Sequence, residues 1–284
     1  MKRTQQRVLV VHRFSPLHAL SFAGVTGMAG VYALYVYANP LSASLGVLNL
    51  ALYAGIYTPL KRVHIACTWA GALVGAIPPL MGYSAATGKI DASALCLAAI
   101  LYSWQFPHFN GLSWNLRGDY SKAGYRVMCV TNERLCRVTS IRHSLALVGL
   151  CSFAAPFTNL TTITFAFGML QIFFWNVSRY PYYLQVALIM HAWQNLCRAG
   201  ETYPYIWSIS DSLPINFYMC WLAYKFYKAP DAQNSRRLFF YSLFYLPLVL
   251  ILMVISNYGR NDARGASIFE RIQWFRTFRN SIGF

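Results

Sequence analysis

The sequence predicts an all-α fold, a polytopic bundle of transmembrane helices. Apolar residues make up 57% of the 284 residues and charged residues only 11%, whereas a soluble domain carries about 25% charged residues. Long apolar runs recur from Leu17 to Ser256, and most are near the ~20 residues that cross a bilayer. Such a chain lacks the polar surface that a water-soluble domain needs.

The apolar runs give the predicted helices in chain order. The expected spans are residues 17–37, 41–60, 66–86, 91–114, 143–158, 213–228 and 238–257. Residues 160–198 hold further apolar stretches around Arg179-Tyr180-Pro181, enough for one or two more spans. We therefore predict a transmembrane domain at 1–257 and a basic polar tail at 258–284.

Basic residues give the chain a formal net charge of +16 and occur in clusters between the apolar runs. The clusters are Lys2-Arg3 with Arg7 and Arg13, Lys61-Arg62, Arg117 to Arg142, and Lys225 to Arg237. With the predicted spans, every cluster in the first half lies on one side of the membrane, as the positive-inside rule requires. This arrangement argues against nucleic-acid binding. The cysteines are odd in number and lack metal-type spacing, so we interpret them as small buried hydrophobes.

The densest polar segment beside a predicted span runs from Gln105 to Asp119. If it is helical, one stripe contains His108, Gly111 and Asn115, and another contains Asn110, Trp114 and Arg117. A lone histidine on an apolar face is usually structural. Ionisable side chains are costly within a bilayer, however, and usually serve function there. We therefore predict that this segment belongs to a functional site.

Two smaller features each have two interpretations. Lys61 and Arg62 end the second span, either as a positive-inside anchor or as a phosphate clamp, because Lys supplies a point charge and Arg a bidentate fork. Asp119 is either an ion-pair partner of neighbouring cations or a Mg²⁺ ligand, since proteins hold Mg²⁺ through one or two carboxylates plus substrate phosphates. The residues alone leave both alternatives open.

Ordered motifs extend this pattern over most of residues 1–257. They are Tyr57-Thr-Pro-Leu-Lys-Arg62, Val74-Gly-Ala-Ile-Pro-Pro79, Ala85-Ala-Thr-Gly88, Tyr102-Ser-Trp-Gln-Phe-Pro-His-Phe-Asn110, Asp119-Tyr120-Ser121, Gly124-Tyr125, Arg142-His143, Leu213-Pro-Ile-Asn216 and Ser235-Arg-Arg-Leu-Phe-Phe240. In these motifs the chain resembles the heme O synthase (protoheme IX farnesyltransferase) family, mitochondrial type, of the intramembrane aromatic-prenyltransferase superfamily.

The resemblance implies a prenyltransferase whose helices surround a cavity open to the membrane. There a Mg²⁺-bound farnesyl diphosphate ionises and alkylates a vinyl group of heme b (protoheme IX), which gives heme O for cytochrome c oxidase assembly. The implied location is the mitochondrial inner membrane, with the basic loops facing the matrix. The implied partners are farnesyl diphosphate, heme b and the lipid bilayer, with no nucleic acid, and formation of a homo-oligomer is left open.

The resemblance also gives a set of candidate site residues. The expected catalytic residues are Lys61, Arg62, His108, Asn110 and Asp119, and Asp119 is also the expected Mg²⁺ ligand. The expected substrate-binding residues are Tyr57, Trp104, Arg117, Lys122, Tyr125, Arg142 and His143. Lys61, Arg62 and Arg117 would face the departing diphosphate, and Tyr57, Trp104 and Phe109 the allylic cation. Either His108 or the pair Arg142-His143 would receive a proton or meet the heme propionates.

Departures from the family pattern support an alternative. An Asn/Asp-rich metal motif of the family would precede Met1, and Cys67 stands where the family has an asparagine. Residues 168–212 have no counterpart, and we predict that they are an insertion. The alternative is a catalytically inactive membrane fragment or isoform of the same enzyme. A transporter with a midplane site at its prolines would need two similar hydropathy halves, and none is seen.

Overall fold

A computed structural model of the chain describes residues 4–158, 160–161 and 212–257. The helices are α1 Pro16–Tyr37, α2 Pro40–Ala51, α3 Thr58–Val63, α4 Cys67–Thr87, α5 Ala92–Asn115, α6 Arg117–Lys122, α7 Met128–Thr131, α8 Glu133–Gly149, α9 Ala155–Phe157, α10 Leu213–Lys228 and α11 Ala232–Asn257. The π-helical segments Leu52–Tyr57 and Leu150–Ala154 join α2 to α3 and α8 to α9. The predicted all-α fold is confirmed over these residues, which contain no strand. The tail at 258–284 and, except for Ser212, the predicted insertion lie outside them.

Four continuous helical segments in the described residues are long and apolar enough to cross a membrane. They are Pro16–Tyr37, Pro40–Val63, Glu133–Phe157 and Ala232–Val254. We call a long helix, or a run of helices joined without a break, a rod. Helices α4, α5 and α10 pack beside these rods, with lengths of 21, 24 and 16 residues. The seven long rods of the described region therefore correspond in order to the seven spans predicted from apolarity.

Two rods begin earlier than predicted. Helix α8 starts at Glu133 and not at 143, because the Asn132 side chain caps it by accepting from Leu135 N at 2.9 Å. Helix α11 starts at Ala232 and not at 238, because the Asp231 carboxylate accepts from Asn234 N at 2.6 Å. Polar N-caps of this kind let a helix extend beyond its apolar stretch. The basic residues expected in loops at both places are therefore helical.

Hydrogen bonds bring the basic clusters to one end of the bundle. Arg126 N donates to Lys61 O at 2.8 Å, which joins α3 to the segment after α6. The Arg137 guanidinium donates to Tyr227 O at 3.0 Å, which places the start of α8 beside the end of α10. Asn115 Nδ2 donates to Ser235 Oγ at 2.8 Å and so ties α5 to the start of α11. We call this end the basic end.

Polar contacts also close the opposite end. Asn39 Nδ2 donates to Ser84 O at 2.6 Å, and the hydroxyls of Ser42 and Ser84 lie 2.7 Å apart. Tyr83 OH donates to the Asp91 carboxylate at 3.0 Å, beside the exposed Lys89. Helices α2, α4 and α5 are thus held together away from the basic end.

Helix α5 is the central element, because it packs against α4, α8 and α11. Its faces are distinct. Gln105 Nε2 donates to Ala72 O of α4 at 2.9 Å, and Asn110 Nδ2 donates to Cys136 O of α8 at 2.9 Å. Trp104 Nε1 donates to Ser242 O of α11 at 2.8 Å. Polar residues of this one helix therefore reach three separate neighbours.

Candidate functional site

Lys61 lies against an aromatic face at the basic end. Its half-buried ammonium is 4.0 Å from the centroid of the Tyr57 ring and 5.9 Å from that of Tyr53. Cations within about 6 Å of a ring centroid are attracted by its π-face. The arrangement depends on Gly71 of α4, where a Cβ would lie 2.7 Å from Tyr57 Cε2. The absence of a side chain at Gly71 therefore lets the Tyr57 ring take this position.

The segment from α6 to α7 adds further aromatic rings beside this pair. Tyr120 lies 6.4 Å from Phe109 and 6.0 Å from Tyr125, measured between ring centroids. Tyr57, Phe109, Tyr120 and Tyr125 all pack on the same buried core, which includes Cys67 and Val127. Together with Lys61 these four aromatic residues form what we call the tyrosine–lysine cluster.

The core beneath this cluster is buried and contains no charged residue among those described. Cys129 is fully buried, and its thiol donates to Ser113 O at 3.3 Å. Burial raises the pKa of this thiol, so it stays protonated at neutral pH. Cys67 is also buried, with its sulfur 4.0 Å from Arg126 O. Both cysteines therefore fit the prediction that they act as small buried hydrophobes.

Asp119 stands next to the tyrosine–lysine cluster on the short helix α6, directly before Tyr120. It is half-buried, and no ion pair within the described part of the chain involves its carboxylate. The same part contains no group of three or more His, Cys, Asp or Glu residues suited to a metal ion. A single carboxylate fits Mg²⁺ only where substrate phosphates supply other ligands, and that is a usual mode of Mg²⁺ binding.

Arg117 is engaged by neighbours within the protein. It forms an ion pair with Glu133, both side chains being 44% exposed, and its guanidinium carbon lies 5.5 Å from the Trp114 ring centroid. Exposed ion pairs contribute about 0–1 kcal/mol. An anionic ligand can therefore compete with Glu133 for this guanidinium. Arg62 and Lys122 are exposed and extend the cationic surface at the same end.

His108 and Trp104 belong to another face of α5. His108 Nδ1 lies 2.8 Å from Ser242 Oγ, and its ring stacks on that of Trp104 with the centroids 4.5 Å apart. Phe239 of α11 also contacts the imidazole, with the ring centroids 5.0 Å apart. Both candidates are thus packed into the interface with α11, and neither belongs to the core beneath the tyrosine–lysine cluster.

Asn110 is fully buried against α8. Besides its bond to Cys136 O, Nδ2 lies 3.1 Å from Thr139 Oγ1 and 3.0 Å from Ser140 Oγ. Its Oδ1 has no hydrogen-bond partner among the described residues. In this position the amide links α5 to α8.

His143 lies on the inner side of α8, one residue after the exposed Arg142. Its ring stacks on Phe106 at 3.7 Å and lies 5.9 Å from Tyr102. Its buried Nδ1 finds no hydrogen-bond partner in the described residues. Because Phe106, Tyr102 and the tyrosine–lysine cluster share one core, His143 is on the same side of the bundle as Lys61.

The structure therefore divides the predicted site residues. Tyr57, Lys61, Asp119, Tyr125 and His143 lie around or beside one core, whereas Trp104, His108 and Asn110 serve helix interfaces. Sequence reasoning did not select Gln105 or Tyr120. The Gly71 and Gly75 pair is the signal that points to Gln105, because the missing side chain at Gly75 leaves room for its amide. Tyr120 follows Asp119 directly, within a motif that was already noted.

The chain is similar to known proteins over most of its length. The family model described as UbiA prenyltransferase family matches residues 1–196. The mitochondrial protoheme IX farnesyltransferase of Homo sapiens is 46% identical over 254 residues, which cover 89% of this chain and 47% of that protein. That of Pongo abelii is 46% identical over 260 residues, or 92% of this chain and 49% of the relative.

A more distant relative gives the same pattern. The mitochondrial protoheme IX farnesyltransferase of Yarrowia lipolytica is 36% identical over 277 residues, which cover 92% of this chain and 50% of that protein. The chain spans about half the length of the curated relatives that it matches. The family match also extends into residues 168–196, part of the predicted insertion. No solved structure matches the chain.

Proposed function

This chain belongs to the UbiA prenyltransferase family, and we propose that it transfers the farnesyl group of farnesyl diphosphate to a vinyl group of heme b, giving heme O. The relatives named protoheme IX farnesyltransferase support the substrates. The observation that carries the proposal is the Lys61 ammonium held 4.0 Å from the Tyr57 ring, in a cluster whose Tyr120 directly follows Asp119. The Asp119 carboxylate makes no ion pair within the described residues. A cation, a carboxylate and aromatic faces are the groups that an allylic diphosphate needs in order to ionise.

The diphosphate would lie at the basic end. Lys61, Arg62 and Lys122 provide positive charge there, and Arg117 joins them when an anionic ligand displaces Glu133. Cations fixed in advance stabilise the charge that develops on the leaving group. Asp119 would hold Mg²⁺ together with the substrate phosphates. When bound, Mg²⁺ would neutralise charge on the departing diphosphate.

The farnesyl chain would run from the basic end along the aromatic faces of the tyrosine–lysine cluster. As the C1–O bond breaks, positive charge forms on the allylic carbons, and the π-faces of Tyr57, Phe109 and Tyr120 would stabilise it. These rings pack on a buried apolar core, which keeps water from the cation. The electron pair of the vinyl group would then form the new carbon–carbon bond, which moves the positive charge to the vinyl carbon attached to the porphyrin. A water molecule would add to that carbon and lose a proton, which gives the hydroxyl group of heme O and leaves free diphosphate.

His143 is better placed than His108 to handle a proton in this reaction. The Nδ1 of His143 is free of hydrogen bonds to the described residues, whereas the Nδ1 of His108 is already bonded to Ser242. A general base needs a nitrogen within reach of the proton that it accepts. We assign this role to His143 Nδ1 and a positioning role to His108.

The membrane setting follows from the same proposal. The membrane-spanning rods and the mitochondrial relatives support a mitochondrial membrane protein. We place it in the inner membrane with the basic end toward the matrix, because that end carries the excess of Lys and Arg. Heme O formed there would supply heme A synthesis and cytochrome c oxidase assembly.

The proposal is tested with the purified chain in lipid nanodiscs. Heme b, farnesyl diphosphate and Mg²⁺ are supplied, and heme O is followed by liquid chromatography with mass detection. We expect heme O to form with the chain and not with its Asp119→Asn variant, which controls for enzyme carried over from the host. A folded chain that binds heme b but forms no heme O would contradict the proposal.

A further inference from the structure

A groove of about 520 Å³ opens between α10 and α11 at the basic end. Its polar part is formed by Gln233, Arg236 and Arg237 of the first turns of α11, and its apolar part by Tyr218, Phe240 and Tyr241. The volume lies within the ~300–1,000 Å³ typical of small-molecule sites. None of these residues belongs to the tyrosine–lysine cluster, so the groove is separate from the proposed prenyl-transfer site.

The two guanidinium groups carry charge that the described protein does not neutralise. The ion pairs in the described region are Lys89–Asp91 and Arg117–Glu133, and neither involves Arg236 or Arg237. The acidic residue nearest to them in sequence, Asp231, is occupied as the cap of α11, since both of its carboxylate oxygens accept from Asn234. Arg236 uses Nε to bond Asn115 Oδ1 at 3.3 Å, which orients its guanidinium. Within the described residues no ion pair or further side-chain hydrogen bond occupies the remaining N–H groups of either arginine, so they can bind an anion.

The wall one turn deeper is apolar and fixed. Tyr241 OH donates to Ile215 O at 2.8 Å, and its ring meets that of Tyr218 edge-on at 4.7 Å. Phe240 is 55% exposed beside them. A positive-inside anchor would need the arginines alone. In this groove the two arginines lie directly beside an aromatic surface. A molecule with an anionic headgroup and an apolar tail would be complementary to both parts.

We propose that this groove binds the phosphate headgroup of an anionic phospholipid. Guanidinium groups bind phosphate oxygens through paired N–H donors. Basic pockets between transmembrane helices are known to take acidic lipid headgroups. The glycerol and the first acyl carbons lie against Phe240 and Tyr218. This proposal does not depend on the prenyl-transfer reaction.

Such a lipid also has a structural consequence. The lipid contacts Arg236, which bonds Asn115 at the end of α5, and the neighbouring Ser235 bonds the same asparagine. Occupancy of the groove therefore stabilises the junction of α5, α10 and α11. A ligand that binds only the folded state raises the unfolding temperature in proportion to the logarithm of its concentration.

The test uses the purified full chain and two matched variants that each remove two positive charges. R236Q/R237Q alters the groove, and R13Q/R134Q alters exposed arginines outside it. Native mass spectrometry measures retained lipid, and thermal unfolding is followed in phosphatidylcholine with rising phosphatidylglycerol. We expect wild type and R13Q/R134Q to retain phosphatidylglycerol, and R236Q/R237Q to bind it roughly 10- to 30-fold more weakly.

Several results would overturn the proposal. One is equal retention of phosphatidylglycerol and phosphatidylcholine by wild type, and another is an equal loss in both variants. A third is stabilisation by inorganic phosphate alone that equals the effect of phosphatidylglycerol. Weaker heme b binding by R236Q/R237Q with unchanged lipid retention would assign the groove to heme carboxylates instead. If R236Q/R237Q does not fold, R236K/R237K replaces it, and unchanged lipid affinity in that variant would count against a bidentate site.

Discussion

The carboxamide of Gln105 on α5 lies directly over Gly75 on α4, where an added Cβ would lie 2.6 Å from Gln105 Cδ. The same amide donates to Ala72 O at 2.9 Å and to Leu101 O of its own helix at 3.3 Å. A polar side chain within a membrane bundle needs such partners, because an unpaired amide there is costly. Gly75 and Gln105 therefore form a complementary pair that sets how closely α4 and α5 approach.

Replacing Gly75 with alanine should destabilise the fold. The new methyl group displaces the Gln105 amide and breaks its bond to Ala72 O, with an expected loss of about 1–3 kcal/mol. Gly82→Ala on the same helix is the control, because no atom lies within 4 Å of a Cβ there. Thermal unfolding in detergent measures both variants. Equal unfolding temperatures for G75A and G82A would show that the amide moves aside without cost.

The faces of α5 show how far the sequence alone could go. The predicted stripe of His108, Gly111 and Asn115 is confirmed, because all three meet residues of α11. Helical periodicity fixes such a stripe. It does not fix which neighbouring helix covers the stripe, since that depends on contacts between segments distant in sequence. His108 was therefore predicted to be catalytic, although its ring contacts Phe239 of α11 and its Nδ1 lies at hydrogen-bonding distance from Ser242.

The predicted first residues of α8 and α11 were wrong for a different physical reason. Apolarity predicted the rods, but the first turns of α8 carry Arg134 and Arg137 and are helical because Asn132 caps them. Arg137 is also bonded to Tyr227 O at the end of α10, where a cation is favoured by the helix dipole. A rule based on apolarity alone includes neither the capping hydrogen bond of Asn132 nor the attraction between Arg137 and the end of α10.

Gly71→Ala should lower catalysis more than stability. A Cβ at this position would lie 2.7 Å from Cε2 of Tyr57 and so moves the ring that faces Lys61. We expect the rate of heme O formation to fall about 10-fold or more, because displacing a positioned group by about 1 Å can cost 10²-fold. The same G82A variant is the control for added helix propensity. A rate equal to that of G82A would mean that the Tyr57–Lys61 contact does not contribute to the reaction.

Asp119→Asn should slow turnover strongly without unfolding the protein. The carboxylate makes no ion pair in the described residues, so its loss removes no internal contact of that kind. Losing a group that acts on the leaving diphosphate should cost about 10²–10³ in rate. Glu133→Gln is the matched control, because it removes a carboxylate at the same end and only the exposed pair with Arg117. Rates are measured over a Mg²⁺ titration. An unchanged rate and Mg²⁺ requirement in D119N would remove Asp119 from the site.

Variants at His143 and at the Ser242 partner of His108 should affect different properties, the first the rate and the second the stability. His143→Phe keeps a ring for stacking on Phe106 but removes the nitrogen, and we expect the rate to fall by about 10²-fold with little change in unfolding temperature. Ser242→Ala removes the hydroxyl partner of His108 Nδ1, and we expect a loss of about 1 kcal/mol in stability with the rate retained. Heme O formation and thermal unfolding are measured for both. If S242A formed heme O slowly while H143F kept the wild-type rate, the roles assigned to His143 and His108 would be reversed.

Gly111→Ala should separate α5 from α11. A Cβ at Gly111 would lie 3.0 Å from Ser235 O and 3.1 Å from Phe239 N, and both are backbone atoms of α11. Backbone within a helix cannot rotate away as a side chain can, so the helices themselves must move apart. We expect a loss of about 1–3 kcal/mol in stability, as for other overpacked interiors.

The separation of α5 from α11 in G111A should also be detectable at a single side chain of the interface. Trp104 reports on this interface, because its Nε1 donates to Ser242 O and its ring stacks on His108. We expect the indole hydrogen bond to lengthen, which tryptophan side-chain NMR of isotope-labelled protein can follow. Gly118→Ala is the control, since no atom lies within 4 Å of its Cβ. If G111A and G118A give the same stability and the same Trp104 resonance, the α5–α11 contact does not depend on a missing side chain at Gly111.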